Sequence, residues 1–235
     1  MPETATAGNG EQLKFQNGGL AVKVAAIIPA YNESKTVGGV IEVLTRCRMI
    51  DQIVVVSDGS TDRTVQTALA YKDVEVIELL ENRGKGGAIY AGKEQTDAEI
   101  LLFMDADLIG LSDYHVTSLL QPVLSGAAAM TVGIFENGRV ATDIAQKMAP
   151  FLSGQRALRR ELLEQIPYFE FSRFGAEIAL HRYVADNNIP VRQVALPDLS
   201  HVMKEEKLGL CKGIFARGKM YWEIAKYAIR VNPTK

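Results

Sequence analysis

Three short apolar runs, at residues 24–28, 53–56 and 100–104, each pass directly into a polar loop that carries carboxylates. Glu33 follows the first run, Asp58 and Asp62 the second, and Asp105 and Asp107 the third. Runs this short, and this rich in aliphatic side chains, suit strands buried on both faces of a sheet. Between the first two, Val37, Val40, Ile41 and Leu44 keep the helical period, and Asn32, Glu33 and Ser34 open that helix. A second helix is expected after the loop 58–62, a strand over 74–79 and a helix over 87–95. Strands alternating with helices predict a mostly parallel sheet covered on both faces, a Rossmann-like α/β domain. Ligands of such sheets bind outside the carboxyl ends of the strands, so three loops remote in sequence are expected to line one crevice.

Beyond Asp107 the pattern predicts a helix over 113–124, a strand over 129–134, helices over 157–165 and 175–186, and a strand over 191–196. Helical segments interrupted at Gly209 and Gly213 are expected over 204–230. With 235 residues, 47% of them hydrophobic, one substantial core is expected, and no repeat or low-complexity linker divides the chain. A single domain over 21–235 is therefore expected, behind a polar, Gly-rich flexible tail over 1–20. That tail lacks the basic start and apolar run of a secretory leader, and no stretch approaches the roughly 20 apolar residues of a membrane-spanning helix. A cytoplasmic location is the expectation. The formal charge of −2 gives no global pull on a polyanion, so nucleic acid is not an expected partner. Cys47 and Cys211 stand far apart without a CxxC or Cys/His cluster, which suggests neither a disulfide framework nor a zinc site.

Asp105-Ala106-Asp107 sets two carboxylates on one loop. They repel each other unless a cation sits between them, and a hard divalent ion with oxygen ligands, Mg2+ or Mn2+, is the usual resolution. An isolated pair of this kind also occurs as a solvated turn of helix-capping aspartates. Its place directly after an apolar run, in line with two other polar loops, favours the metal. The glycines flanking Lys85 let backbone N–H groups approach an anion at a helix start, or merely reverse the chain. Neither the GxxxxGK[ST] loop of NTPases nor a GxGxxG after the first run is present, which argues against an NTPase and a dinucleotide dehydrogenase.

In order and spacing, IIPAYNE (27–33), VVSDGSTDRT (55–64), NRGKGGA (82–88) and MDADL (104–108) resemble family two glycosyltransferases and their polyprenyl-phosphate glycosyltransferase relatives. The resemblance implies a GT-A fold, a nucleotide-sugar donor, a UDP-sugar above others, and Mg2+ or Mn2+ as cofactor. Carried over by position, it implies that Pro29, Ala30, Tyr31, Glu33 and Asp58 meet the nucleoside, with Asp105 and Ala106 also against the nucleotide sugar. Lys85 would lie near the diphosphate, and Asp107, with Asp105, would bind the metal. The chemistry agrees, because charge grows on the leaving nucleotide as the sugar bond breaks, and a metal with a positioned lysine stabilises it.

PFLSGQRALRRELLEQIP (150–167), FGAEIAL (174–180) and His201 are similar to a narrower group, the glucosyl-3-phosphoglycerate synthases. This implies that Ser153 and Gly154, with Gln155 and Arg156 beside them, border the acceptor. Glu177 would be a catalytic carboxylate facing sugar or acceptor, and His201 would complete the metal shell. A glutamine stands at 155, where that group leads one to expect an acidic residue. Each residue also has a plain reading: His201 a surface histidine before a helix, Glu177 a favourable charge at a helix amino terminus, Arg156, Arg159 and Arg160 a solvated helix face.

The resemblance divides the chain into a nucleotide-binding part at 21–110, an acceptor-binding part at 111–203 and a C-terminal helical segment at 204–235. That last segment carries Lys204, Lys207, Lys212, Arg217, Lys219, Lys226 and Arg230 among apolar residues. It suits peripheral contact with the inner membrane face, or packing on the domain or on a second copy in a homodimer. The leading expectation is transfer of a hexose, glucose from UDP-glucose, to a small phosphorylated or hydroxyl acceptor. A lipid-phosphate acceptor is the alternative enzyme, and a non-enzymatic nucleotide-sugar binding protein the alternative of another class.

Overall fold

The computed structural model describes residues 16–17, 20–135, 153–172 and 175–201. Of the flexible tail expected over 1–20, the part before residue 16 lies outside the described residues, as does the basic segment over 204–235, while residues 16–17 and 20 are in strands. Strands β1 (Gln16–Asn17) and β2 (Leu20–Ala21) form a small antiparallel pair. Then follow β3 (Val24–Ala30), α1 (Val37–Arg46), β4 (Gln52–Asp58), α2 (Thr64–Leu69), β5 (Glu75–Leu79), α3 (Gly84–Glu94), β6 (Ile100–Phe103), β7 (Leu108–Ile109), α4 (Asp113–Leu124) and β8 (Met130–Phe135). After them come β9 (Arg156–Arg159), α5 (Arg160–Glu164), a 3-10 turn (Phe169–Phe171), α6 (Ala176–Asp186), β10 (Val191–Leu196) and β11 (Ser200–His201).

Among the described residues, seven strands form one sheet in the order β10-β8-β9-β6-β3-β4-β5. All pairings are parallel except those of β9, which runs antiparallel to both β6 and β8. Successive side chains of β3, β4 and β6 alternate between two cores. Ala26, Ile28, Val55 and Leu102 pack with α1 and α4, while Ala25, Ile27, Val56 and Phe103 pack with α3 and α6. Burial on both faces is why these strands read as continuous apolar runs. Each fully buried aliphatic or aromatic side chain contributes on the order of 2 kcal/mol, so the cores hold the strand ends in fixed positions.

The first strand runs on through Pro29 to Ala30, beyond the expected end. Proline is tolerated here because the ladder with β6 stops at Ile27, whose carbonyl accepts from Met104 N–H at 3.2 Å. Pro29 points to that finished side, so its missing N–H leaves no ladder bond unmade. The helix expected over 87–95 begins three residues earlier, at Gly84. The helix expected over 157–165 is corrected by the structure: Arg156–Arg159 is strand β9, and only Arg160–Glu164 is helical. Without β9, the facing edges of β6 and β8 would carry unpaired backbone groups. Pairing Leu101 and Met130 with the same residue, Leu158, satisfies both edges and outweighs the local helical period.

Candidate active site

The loops after β3 and β4 are bound to each other by polar contacts. Asn32 adopts a left-handed conformation at φ 57°, a region asparagine tolerates better than most residues. Its N–H donates to Ser60 Oγ at 3.1 Å, and its side-chain oxygen accepts from Thr61 N–H at 2.8 Å. Glu33 N–H donates to Thr64 Oγ1 at 2.8 Å, and Ser34 N–H to Asp62 Oδ2 at 3.1 Å. Burial pushes the Asp62 pKa up, but hydrogen bonds from Thr64 and Ser34 outweigh it and hold the carboxyl below its ordinary value. Tyr31 stands at this double loop with half its surface exposed, available to a flat ligand.

Asp58, expected against the nucleoside, is buried, and its carboxylate caps α3. Oδ1 accepts Arg83 N–H at 2.7 Å and Oδ2 accepts Gly84 N–H at 2.9 Å. These two bonds satisfy amide donors at the start of α3, which is why the helix begins at Gly84. Gly59 has φ 67°, and a Cβ there would meet the backbone of Glu81 and Asn82, so the two loops approach as closely as glycine permits. Asp58 thereby fixes the turn that carries Lys85.

Lys85 lies between two carboxylates, with Nζ 2.5 Å from Asp105 Oδ1 and 2.6 Å from Glu177 Oε1. Glu177 comes from the first turn of α6 and Asp105 from the end of β6. Burial alone would lower the Lys85 pKa, but the charges of Asp105 and Glu177 outweigh it and raise the value above that of a free lysine. The other oxygen of Asp105 accepts Gln155 Nε2 at 2.8 Å. Gly154 presses on this ion pair so closely that a methyl group would collide with the Asp105 carboxylate and the Lys85 ammonium. Gly154→Ala is therefore expected to keep the fold, because the colliding groups are side-chain ends, but to displace Lys85. Turnover should fall at least about tenfold, a loss readable in kcat, since small misplacements of a reacting constellation are costly.

Arg156 is 1% exposed and lies inside the protein. Its Nε donates to the Ser153 carbonyl at 2.9 Å. Burial lowers its pKa to about 10, against the opposing pull of Glu177 and Asp105. A solvated helix face does not describe this side chain, which is buried at the start of strand β9. His181, one helical turn after Glu177, was not singled out from sequence. Burial, and then the charge of Arg156, lower its pKa. The spacing of Glu177 and His181 was the available signal, because residues four apart share a helix face.

His201 is placed by a chain reversal. His115 binds the Pro197 carbonyl through Nε2 at 2.9 Å, while its Nδ1 receives Ser112 N–H at 3.2 Å. Asp198 then adopts φ 58°, its carbonyl pressing against Gly110, itself at φ 82°. This reversal pairs β11 with β7 so that His201 lies opposite Leu108, the residue after Asp107. Among the described residues no three His, Cys, Asp or Glu side chains gather closely enough to hold an ion. The oxygen donors at the end of β6 nevertheless fit a Mg2+-type ion, which takes one or two carboxylates and completes its shell with substrate phosphates and water.

A seven-stranded, mostly parallel sheet whose strand ends bring together a DxD loop, a glycine-flanked lysine and a carboxylate defines an α/β domain of the GT-A kind. The chain belongs to glycosyl transferase family 2, whose model matches residues 25–184. It is 28% identical over 190 residues to the glucosyl-3-phosphoglycerate synthase of Mycolicibacterium smegmatis, covering 67% of this chain and 62% of that protein. The chain thus spans less than two thirds of that relative. To the dolichyl-phosphate beta-glucosyltransferase of Drosophila melanogaster it is 36% identical over 102 residues, 37% of this chain and 31% of that protein. The solved structure of glucosyl-3-phosphoglycerate synthase from Mycobacterium tuberculosis with Mn2+, uridine diphosphate and phosphoglyceric acid superposes with a TM-score of 0.64. It shares 26% identity over 77% of this chain and 71% of that one.

Proposed function

We propose that the chain is a metal-dependent glycosyltransferase that moves a hexose, glucose from UDP-glucose, to a small phosphorylated acceptor. The observation that carries this reading is Lys85 held between Asp105 and Glu177 at the strand ends where the motif-bearing loops meet. The Mn2+, uridine diphosphate and phosphoglyceric acid in the mycobacterial structure support it. In this reading residues 21–110 bind the nucleotide and 111–203 the acceptor. Pro29, Ala30, Tyr31 and Glu33 line the nucleoside site, with Asp58 acting through the Lys85 turn. Asp105 and Ala106 border the nucleotide sugar, and Ser153 and Gly154 the acceptor.

Asp107 and His201 are the residues that would hold Mg2+ or Mn2+, with Asp105 beside them. When bound, that ion screens the charge that grows on the departing diphosphate. Lys85 places a fixed positive charge beside the same leaving group, and its two carboxylate partners keep it from swinging into water. Glu177, the second carboxylate on Lys85, faces the donor sugar or the acceptor in this reading. If His201 is a ligand, His201→Ala should weaken Mn2+ binding at least about tenfold by isothermal titration, with nucleoside affinity in the absence of metal unchanged. Wild-type Mn2+ affinity in that variant would remove His201 from the metal shell.

A second acceptor, a polyprenyl phosphate, is suggested by the likeness to the dolichyl-phosphate enzyme over 37% of this chain. It would need little general-base help because the acceptor is already anionic, and the basic segment at 204–235 would then touch the membrane surface. The deciding experiment titrates a panel of nucleotide sugars with Mg2+ or Mn2+ and analyses products by mass spectrometry. Phosphoglyceric acid and dolichyl phosphate in vesicles are offered as acceptors. Glucosylated phosphoglycerate supports the first reading and glucosylated lipid the second. Saturable donor binding without any product would leave a nucleotide-sugar binding protein.

A further inference from the structure

We infer that Gln155 is a positioning residue, which fixes Asp105 and through it the placement of Lys85. The inference rests on the glycosyltransferase reading for its kinetic consequence, but its structural content stands by itself.

Gln155 is 1% exposed and its backbone carbonyl accepts Gly133 N–H at 2.8 Å, so the residue is anchored before its side chain is considered. Its carboxamide bridges two groups. Nε2 donates to Asp105 Oδ2 at 2.8 Å, and Oε1 accepts from Ser153 Oγ at 3.1 Å. The orientation of that amide follows from chemistry. An ionised carboxylate only accepts, so the amide must turn its NH2 toward Asp105, which leaves its oxygen for the Ser153 hydroxyl. Ser153 is itself buried, and its carbonyl is held by Arg156 Nε at 2.9 Å.

Asp105 therefore has one oxygen on Lys85 and the other on Gln155. A carboxylate tied at a single oxygen can rotate about its terminal torsion, which is broad; tied at both, it presents Oδ1 in one direction. The missing side chain at Gly154 leaves room for this approach. Lys85 also meets Glu177, so loss of the Asp105 tether would not free the lysine but would shift it toward α6. A shifted lysine still attracts the donor, yet it is misplaced for the charge that develops on the leaving group. The cost should appear in kcat and hardly in KM.

The test compares wild type, Gln155→Met, Ser153→Ala, Asp105→Ala and the Gln155→Met/Asp105→Ala double variant, with Mn2+, UDP-glucose and phosphoglyceric acid. Methionine keeps the length of glutamine and removes its donor. In Gln155→Met, kcat is expected to fall about tenfold or more with donor KM within about twofold, and Ser153→Ala should show a smaller loss of the same kind. In the Asp105→Ala background the same Gln155→Met change should cost less than about twofold, since residues that act through one another are not additive. Equal losses in both backgrounds, or a change in KM alone, overturn the inference. Crystal structures of wild type and Gln155→Met give a readout independent of turnover. Lys85 is expected to leave Asp105 for Glu177, and an unchanged Lys85–Asp105 pair overturns the inference. Should wild type fail to use UDP-glucose, that reading falls and the structures alone decide. If Gln155→Met does not fold, Ser153→Ala decides through both readouts.

Discussion

Asp107→Ala is expected to abolish metal-dependent transfer while leaving the fold in place. Asp107 lies on the short connection between β6 and β7, past the last residue of β6 that pairs with β3. The sheet beneath it is held by Leu101, Leu102 and Phe103, none more than 1% exposed, and by β9 on the other side. Removing a carboxylate from such a connection should cost about 1 kcal/mol, readable as a small drop in the thermal midpoint with the cooperative transition kept. The effect on chemistry should be of another order. A bound divalent ion supplies several kcal/mol of transition-state stabilisation, so kcat/KM is expected to fall about a thousandfold, close to 4 kcal/mol. Wild-type turnover by the variant at saturating Mn2+ would sink the assignment of Asp107.

Lys85→Ala should damage both activity and stability. The side chains of Lys85, Asp105 and Glu177 are 22%, 28% and 13% exposed, so removing the lysine leaves two poorly solvated carboxylates facing one another without a cation. Breaking a buried pair by deleting one partner costs roughly 3 kcal/mol, and the lost charge at the diphosphate should lower kcat by about a hundredfold. The pH dependence carries a sign. Burial opposes the charged form, but Asp105 and Glu177 outweigh it and raise the folded pKa above 10.5, the ordinary lysine value. The stability this pairing contributes is complete below that value and is lost as pH rises through the higher folded one. Wild type should therefore lose urea resistance in strong alkali, and Lys85→Ala should show a shallower alkaline loss. A variant with wild-type stability and reduced donor affinity alone would contradict this account.

The frame of the site was legible in the sequence because its signals are local. The apolar runs mark the strands, and the residues that follow each run must fall at one end of a parallel sheet. The expected helix over 113–124 and strand over 191–196 match α4 and β10 for the same reason. What was not legible depends on partners far away in the chain. RALR at 156–159 keeps a helical spacing, and only the two open edges of β6 and β8 make it a strand. That the Asp58 carboxylate also accepts the Arg83 and Gly84 amides has no signature in its own loop, because the two segments meet only in the fold. Gln155 and Arg156 sit in a polar run that suggests a surface, yet both are buried under the crevice because β9 carries them inside. Ser60 and Asp62 lie in the expected loop and Thr64 in the helix expected after it, and their link to Asn32, Glu33 and Ser34 has no signature within either segment.

Strand β9 has one more consequence, for attempts to recombine this protein with its relatives. The strands of the first half, β3 to β6, reach β8 and β10 only across those four residues, which enter against the direction of their neighbours. A chimera cut between the proposed donor and acceptor portions, anywhere from residue 111 to 154, takes β9 from one parent and β6 from the other. The hydrogen-bond seam can survive such a cut, since backbone groups are common to every parent. The side chains that arrive with it, Gln155 and Arg156 beneath a foreign Asp-x-Asp loop, are not interchangeable in that way. On the proposed division of the chain, exchange of acceptor preference is thus better attempted by grafting within the second half than by swapping it whole.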